Sequence, residues 1–184
     1  HFGNDTVVSG TGSENVFGED GDDNLSGGAS GNDTLNGGIG NDTISAGSGN
    51  SSIDGGDGDD KVSQSGSGND SILLGLGNDT LTTAGGNDTI DGGVGNNSIT
   101  VGGGANNITT GSGDDTVSAS GGNDVIVVGN GVNVVGAGGG DNIVVSGTGN
   151  DTVTAGGGND SISSGAGDDT VSSGGGSDTI DAGT

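Results

Sequence analysis

The chain has 184 residues, of which 49 are glycine, 24% are hydrophobic and two are aromatic, too little apolar bulk for an ordinary globular core. Twenty-six acidic residues face one Lys and no Arg, and the resulting net charge of -25 would leave an aperiodic chain disordered. That sign excludes nucleic acid and anionic membrane as electrostatic partners and points to cations, divalent ones foremost.

Order must therefore come from repetition or from ligands. Cys is absent, so disulfides contribute nothing, and no apolar run reaches the roughly 18 residues of a membrane span; membrane insertion is not expected. The chain opens on His1 rather than Met and reads as a mature or excised piece.

From Gly3 onward one pattern repeats: a Gly, two residues later an Asp or a substitute, and two residues after that an aliphatic. Twenty units follow one another from Gly3 to Thr184, read as a single repeat domain over 1–184, with seventeen steps of nine residues and two of ten. The long steps lie between Gly21 and Gly31 and between Gly58 and Gly68, where the extra residue is expected in a turn or at a strand end. In chain order the aliphatic position holds Val7, Val16, Leu25, Leu35, Ile44, Ile53, Val62, Ile72, Leu81, Ile90, Ile99, Ile108, Val117, Ile126, Val135, Val144, Val153, Ile162, Val171 and Ile180. Thr and Ser commonly flank it, as in Thr80-Leu81-Thr82, which is the alternation of a half-buried strand. Each unit is thus one very short strand between glycine turns, and no Pro interrupts the ladder.

So short a strand cannot stand alone, and the units must stack into a coil with a continuous aliphatic column. Two units per coil give ten turns and, at about 4.8 Å per stacked strand, a rod roughly 45 to 50 Å long. Phe2 and Phe17 are candidates to plug its N-terminal end.

Residues two apart in a strand share a side, so the acidic position lies inward of its aliphatic neighbour, at the turn. Units alternate between the sides of the coil and generate two columns. One is Asp5, Asp23, Asp42, Asp60, Asp79, Asn97, Asp115, Asn133, Asp151 and Asp169; the other is Glu14, Asp33, Ser51, Asp70, Asp88, Asn106, Asp124, Asn142, Asp160 and Asp178. Carboxylates stacked about 4.8 Å apart repel by roughly 1 kcal/mol per neighbour in water and several times more at lower dielectric. A hard cation between turns, held by carboxylates and by carbonyls that glycine leaves accessible, converts this repulsion into cross-linking, and calcium suits such a flexible oxygen shell better than magnesium.

These residues resemble the RTX-type nonapeptide calcium-binding repeats: Gly37-Gly38-Ile39-Gly40-Asn41-Asp42-Thr43-Ile44-Ser45 matches that pattern at every defined position, and Gly92-Gly93-Val94-Gly95 precedes the weaker Asn96-Asn97-Ser98-Ile99. The resemblance covers essentially the whole chain. It implies an all-β, right-handed parallel β-roll of about ten coils, several Ca2+ ions between turns, folding triggered by calcium, and bacterial export to the cell exterior by type I secretion. The first Gly of the pattern is replaced at Ser9, Val101, Val128 and Ser164, so turns should differ in detail.

Of the eighteen gaps between successive turns, seven have Asp on both sides, one pairs Glu14 with Asp33, and ten keep a single Asp. Strong sites are expected in the Asp-paired gaps and weaker ones around Asn97, Asn106, Asn133, Asn142 and Ser51. Filling all eighteen gaps with divalent ions would add 36 charges against -25, so partial occupancy is expected.

Outward Thr residues in alternate units, namely Thr43, Thr80, Thr82, Thr100, Thr116, Thr152, Thr154 and Thr170, form ladders interrupted by Lys61 and Gly136. Val125, Val127, Val134, Ile143 and Val145 also face outward and are expected to form a contiguous apolar strip for self-association. With no Cys, Tyr or Arg and a single terminal His, a nucleophile and base cannot be paired, and no enzymatic activity is expected. The reading is a calcium-binding structural element of the cell surface: a filament protomer, surface-layer piece or adhesin rod. The alternatives are the secretion and folding module of a larger toxin or enzyme, and an ice-binding solenoid using the Thr ladders.

Overall fold

The computed structural model describes residues 2–184, leaving His1 outside the description. Twenty strands, numbered in chain order from β1 (Thr6–Val8) to β20 (Thr179–Asp181), form two ten-stranded parallel sheets, odd strands in one and even strands in the other. Every pairing therefore joins a strand to the one two units later, and the chain makes a two-sheet β-solenoid of ten coils, the architecture of a parallel β-roll. Register is locked by the repeat: Leu25 pairs with Ile44, Ile44 with Val62 and Val62 with Leu81.

Burial fixes that register, because a one-residue slip would carry each aliphatic to solvent. Leu25, Leu35, Ile44, Leu81, Ile108, Ile126 and Val153 are completely buried, and the cluster runs from Val16 to Ile162. Flanking residues alternate outward, as in β9 (Thr80–Thr82), exposed on both sides of buried Leu81. The first-Gly position of the pattern also points inward. Where it carries a side chain, as in Ala46, Leu74, Val101, Ala119, Val128, Ala137 and Ala155, that side chain joins the core.

The marking glycines are a steric requirement. Gly40 has φ 135°, and a Cβ there would meet the carbonyl of Gly21 in the preceding coil; Gly58 stands in the same relation to Gly40. Strand lengths range from three to six residues, longer than the uniform three expected, because in strands such as β4 (Thr34–Ile39) pairing continues through the glycine pair. Both ten-residue steps place their extra residue in the turns around Gly28–Ser30 and Ser65–Gly68.

Two expectations are corrected. Phe2 is 91% exposed and Phe17 60% exposed, so neither plugs the rod; Phe17 sits at an outward position of β2 (Asn15–Asp20), in register with Asn36. The apolar strip is not contiguous either. Val125 and Val127 of β14 (Val125–Val127) pair in register with Ile143 and Val145 of β16 (Ile143–Val145), but Val134 belongs to β15 (Val134–Gly136) in the opposite sheet. Consecutive units alternate between faces, so only alternate units can share a patch.

Replacing Leu81 with Ala removes a fully buried side chain whose column cannot collapse without breaking register, and is expected to cost about 2 to 5 kcal/mol. Replacing the exposed neighbour Thr80 with Ala should shift stability by no more than about 0.5 kcal/mol. Urea unfolding in saturating calcium measures both, and equal effects would contradict the assigned inward and outward faces.

Candidate metal centre

The two acidic columns line the inside of the turns. Asp23, Asp33, Asp42, Asp60, Asp70, Asp79, Asp88, Asp115, Asp124, Asp151 and Asp160 are each at most 3% exposed, and Asn97, Asn106, Asn133, Asn142 and Ser51 are buried in the same way. Asp5, Glu14, Asp169 and Asp178, in the terminal coils, are only partly buried.

Each column is stitched by a hydrogen-bond ladder. The backbone N–H of one member donates to the side-chain oxygen of the next: Asp23 to Asp42 Oδ1 at 2.7 Å, Asp42 to Asp60 Oδ1 at 2.8 Å, Asp60 to Asp79 Oδ1 at 2.8 Å. The ladder continues through the substitutes, with Asp79 donating to Asn97 Oδ1, Asp88 to Asn106 Oδ1 and Asp33 to Ser51 Oγ. All eighteen gaps are closed in this way. Asn and Ser therefore preserve the structural role of the position while removing its charge.

The second carboxylate oxygen has no such role. Oδ2 of Asp23, Asp33, Asp42, Asp60, Asp70, Asp79, Asp88, Asp115, Asp124, Asp151, Asp160 and Asp169, and Oε2 of Glu14, are buried without a hydrogen-bond partner. A buried acceptor on a charged group, left unpaired, is among the costliest features a fold can carry. Next to these oxygens the chain leaves glycine-sized space. A Cβ on Gly18 would meet Asp23 Oδ2 and the Gly37 carbonyl, one on Gly37 would meet Asp42 Oδ2 and the Gly55 carbonyl, and one on Gly27 would meet Asp33 Oδ2. At Gly55 the same space holds the Leu74 carbonyl at 2.5 Å and Asp60 Oδ2 at 2.6 Å.

Oxygen thus faces oxygen, carboxylate against main-chain carbonyl, from successive coils. No group of three or more Asp, Glu, His or Cys side chains converges among the described residues, and the oxygens that meet at the Gly18, Gly37 and Gly55 cradles are one carboxylate and one main-chain carbonyl. Such a set fits a hard divalent cation of flexible coordination and fits no soft metal.

The model matching this chain is that of the RTX calcium-binding nonapeptide repeat, aligned over residues 2–35, 28–62, 64–99, 100–135, 136–171 and 162–184. The chain belongs to that family. It is a calcium-binding repeat protein, and the orphaned oxygens of its RTX turns fit the ion the family binds. A comparison with curated proteins found no match.

A second ladder was missed in the sequence. The residue just before each acidic position carries a side-chain oxygen in eighteen of twenty RTX units, and in the sixteen that precede another coil that oxygen accepts the backbone N–H of its counterpart one coil later: Asn41 donates to Asp22 Oδ1, Asp59 to Asn41 Oδ1 and Asn78 to Asp59 Oδ1. It runs opposite to the inner ladder, on the exposed rim of the turn. It breaks where Ala105 and Val132 supply no acceptor. Recurrent Asn-Asp-Thr triplets were its signal; Asn accepts here without adding charge.

Electrostatics identify where cation-free turns are most frustrated. Burial pushes the Asp60 carboxyl up from 3.8 to about 7, against the N–H donated by Asp42, with the charges of Asp79, Asp42 and Asp54 adding to the rise. Asp79 is pushed up to about 6, again mainly by burial, despite the Asp60 N–H. Asp42, Asp70 and Asp124 are raised for the same leading reason. At the open end, Asp178 is lowered by the Asp160 N–H and by Ser173.

A carboxyl whose folded pKa is raised favours folding when protonated and loses that contribution as pH rises through the folded value. In chelator, the roll is therefore expected to be more folded at pH 5 than at pH 8, the loss beginning as pH rises past 3.8 and ending above about 6 to 7, where Asp79 and Asp60 titrate in the folded state. With calcium, protons compete for the same oxygens, so the half-saturating concentration should rise as pH falls across that window. Circular dichroism at both pH values, with and without calcium, measures this; identical folding in chelator at pH 5 and pH 8 would contradict it.

Proposed function

We propose that this chain is an extracellular structural rod whose shape is set by calcium, with Asp5, Asp23, Asp33, Asp42, Asp60, Asp70, Asp79, Asp88, Asp115, Asp124, Asp151, Asp160, Asp169, Asp178 and Glu14 as carboxylate ligands. The supporting observation is the column of buried, unpartnered Oδ2 atoms facing main-chain carbonyls of successive coils. Calcium, when bound, would supply the positive charge that this arrangement lacks, held by these carboxylate and carbonyl oxygens. The chain's own residues do the rest: Oδ1 fixes the carboxylate through the inner ladder, glycine keeps the carbonyls within reach, and the aliphatic column holds the coils in register.

The Gly18, Gly27, Gly37 and Gly55 cradles make Asp23, Asp33, Asp42 and Asp60 the strongest ligands in this reading. Extracellular modules of this kind bind calcium at about 0.1 to 1 mM. In calcium-poor cytosol the self-repelling acidic coils would stay open, and outside the cell the chain would close into a stiff rod, which accords with type I secretion. Turnover has no part in this reading: the rod binds ions and presents surface. Its even-stranded face carries Val125, Val127, Ile143 and Val145 together, and we assign lateral self-association to that face as a filament, surface layer or adhesin shaft.

Far-UV circular dichroism during a calcium titration tests the proposal, with magnesium as control and light scattering recorded alongside. A cooperative gain of β signal with calcium alone is expected near 0.1 to 1 mM. Scattering should grow with it, and Val125→Ser with Ile143→Ser should suppress the scattering while leaving the β signal. A chain fully folded in excess chelator at pH 8 would refute calcium stapling.

A further inference from the structure

The substituted turns are not simply weak copies of the acidic ones. Asn97 Nδ2 donates to the carbonyls of Gly92 at 3.0 Å and Gly95 at 3.2 Å, and Asn133 Nδ2 to those of Gly129 at 3.2 Å and Gly131 at 3.3 Å. Asn142 Nδ2 reaches the Gly140 carbonyl at 3.0 Å, and Asn106 Nδ2 the Gly104 carbonyl at 3.0 Å and Asp124 Oδ1 at 2.9 Å. Asn and Asp share one shape, and Oδ1 has the same ladder role in both, so Nδ2 takes the place of the orphaned Oδ2. Carbonyls that confront an acceptor in an acidic turn here confront a donor. The cradle changes accordingly: the three atoms nearest a Cβ on Gly92 would be Ile99 Cδ1 at 3.1 Å, Thr110 Cγ2 at 3.2 Å and Asn97 Nδ2 at 3.6 Å, where the acidic cradles present carboxylate oxygen.

We propose that these four asparagines are built-in replacements for the cation, and that the coils from Gly92 to Ser146 hold together without calcium and template the rest of the roll. The inference rests on the calcium reading of the acidic turns. Two independent features of the same stretch support it. Only four of the 26 acidic residues, Asp114, Asp115, Asp124 and Asp141, lie between residues 92 and 150, so there is little repulsion to neutralise. Its first-Gly positions after Gly92 carry Val101, Thr110, Ala119, Val128 and Ala137, all buried, whereas Gly18, Gly27, Gly37 and Gly55 occupy four of the first six such positions of the chain. Asp115 and Asp124 lie between Asn coils on both sides, so each has an amide-bearing neighbour above and below. Ser51 is different: its Oγ accepts the Asp33 N–H at 3.3 Å, but it has no amide to offer the carbonyls, and it lies outside the block.

Hydrogen exchange of the full chain at pH 8, read by mass spectrometry in chelator and in calcium, tests the block. In chelator, peptides within 92–146 are expected to exchange at least tenfold more slowly than peptides within 12–80, and calcium should protect both. Equal, fast exchange of the two regions in chelator, with full protection in calcium, would overturn the block while leaving the calcium reading intact. Protection of every segment in chelator would overturn the calcium reading, and this one with it. A variant carrying Asn97→Asp, Asn106→Asp, Asn133→Asp and Asn142→Asp should lose protection of the block in chelator, regain it in calcium, and bind more calcium than the parent by equilibrium dialysis. Should that variant not fold in calcium, Asn133→Asp alone is expected to show the same direction in both measurements; unchanged stoichiometry and unchanged protection in chelator would overturn the proposal.

Discussion

Everything in this molecule depends on the buried acidic column, in which one carboxylate oxygen is used by the fold and the other is not. Oδ1 accepts the N–H of the preceding coil and holds the turn in place; Oδ2, a few ångströms away on the same group, is sealed from water with no donor. The same residue is thus structural through one atom and frustrated through the other. Stacking such groups at about 4.8 Å costs about 1 kcal/mol per neighbour even in water, and more where burial lowers the effective dielectric. That the Asp60 carboxyl is pushed up to about 7 expresses the same conflict in titration terms. A core of one Val, Ile or Leu per unit, supplemented only in some units by residues such as Ala46, Leu74 and Val101, is poorly equipped to outweigh this conflict repeated along two columns.

Much of this was legible because the repeat is so strict. An aliphatic at all twenty positions, with an acid or its Asn or Ser substitute always two residues ahead of it, dictates strand, face and column. Alternation of units between the two sheets follows from the same count. What period alone obscured was which neighbours in sequence become neighbours in space. Val134 looked continuous with Val125 and Ile143 but lies on the other face, because a nine-residue step is half a coil. Phe2 and Phe17 suggested a plug by bulk, yet an end coil offers no pocket for an aromatic ring, and both stay exposed.

Other features were hidden by treating substitution as decay. Val101 and Val128 read as departures from a glycine consensus; in three dimensions they point inward and enlarge the core. The Asn of the recurrent Asn-Asp-Thr triplets is the acceptor of an outer ladder running antiparallel to the inner one. Opposed donor directions leave each turn tied to the coil before it at the rim and to the coil after it on the inside. Once a coil has closed, a turn held from both sides keeps its carbonyls fixed, which is preorganisation of the kind that makes ion binding favourable.

The distribution of glycine and asparagine along the rod then becomes a map of dependence on the ion. Glycine cradles lined by oxygen belong to Asp23, Asp33, Asp42 and Asp60, and the most strongly shifted carboxyl, that of Asp60, is in this stretch. Amide-filled turns belong to the stretch from Asn97 to Asn142, which also has the lowest density of acid. Two solutions to one electrostatic problem are therefore separated along a single solenoid: an external charge towards both ends and an internal donor towards the middle. Because each coil touches only its neighbours, a segment stabilised by its own amides can present a finished edge to the next acidic coil, and pairing onto a formed edge avoids the cost of nucleating a parallel pair from the unfolded chain. The asparagines in this account set where the roll begins, and the aspartates set the condition under which it extends.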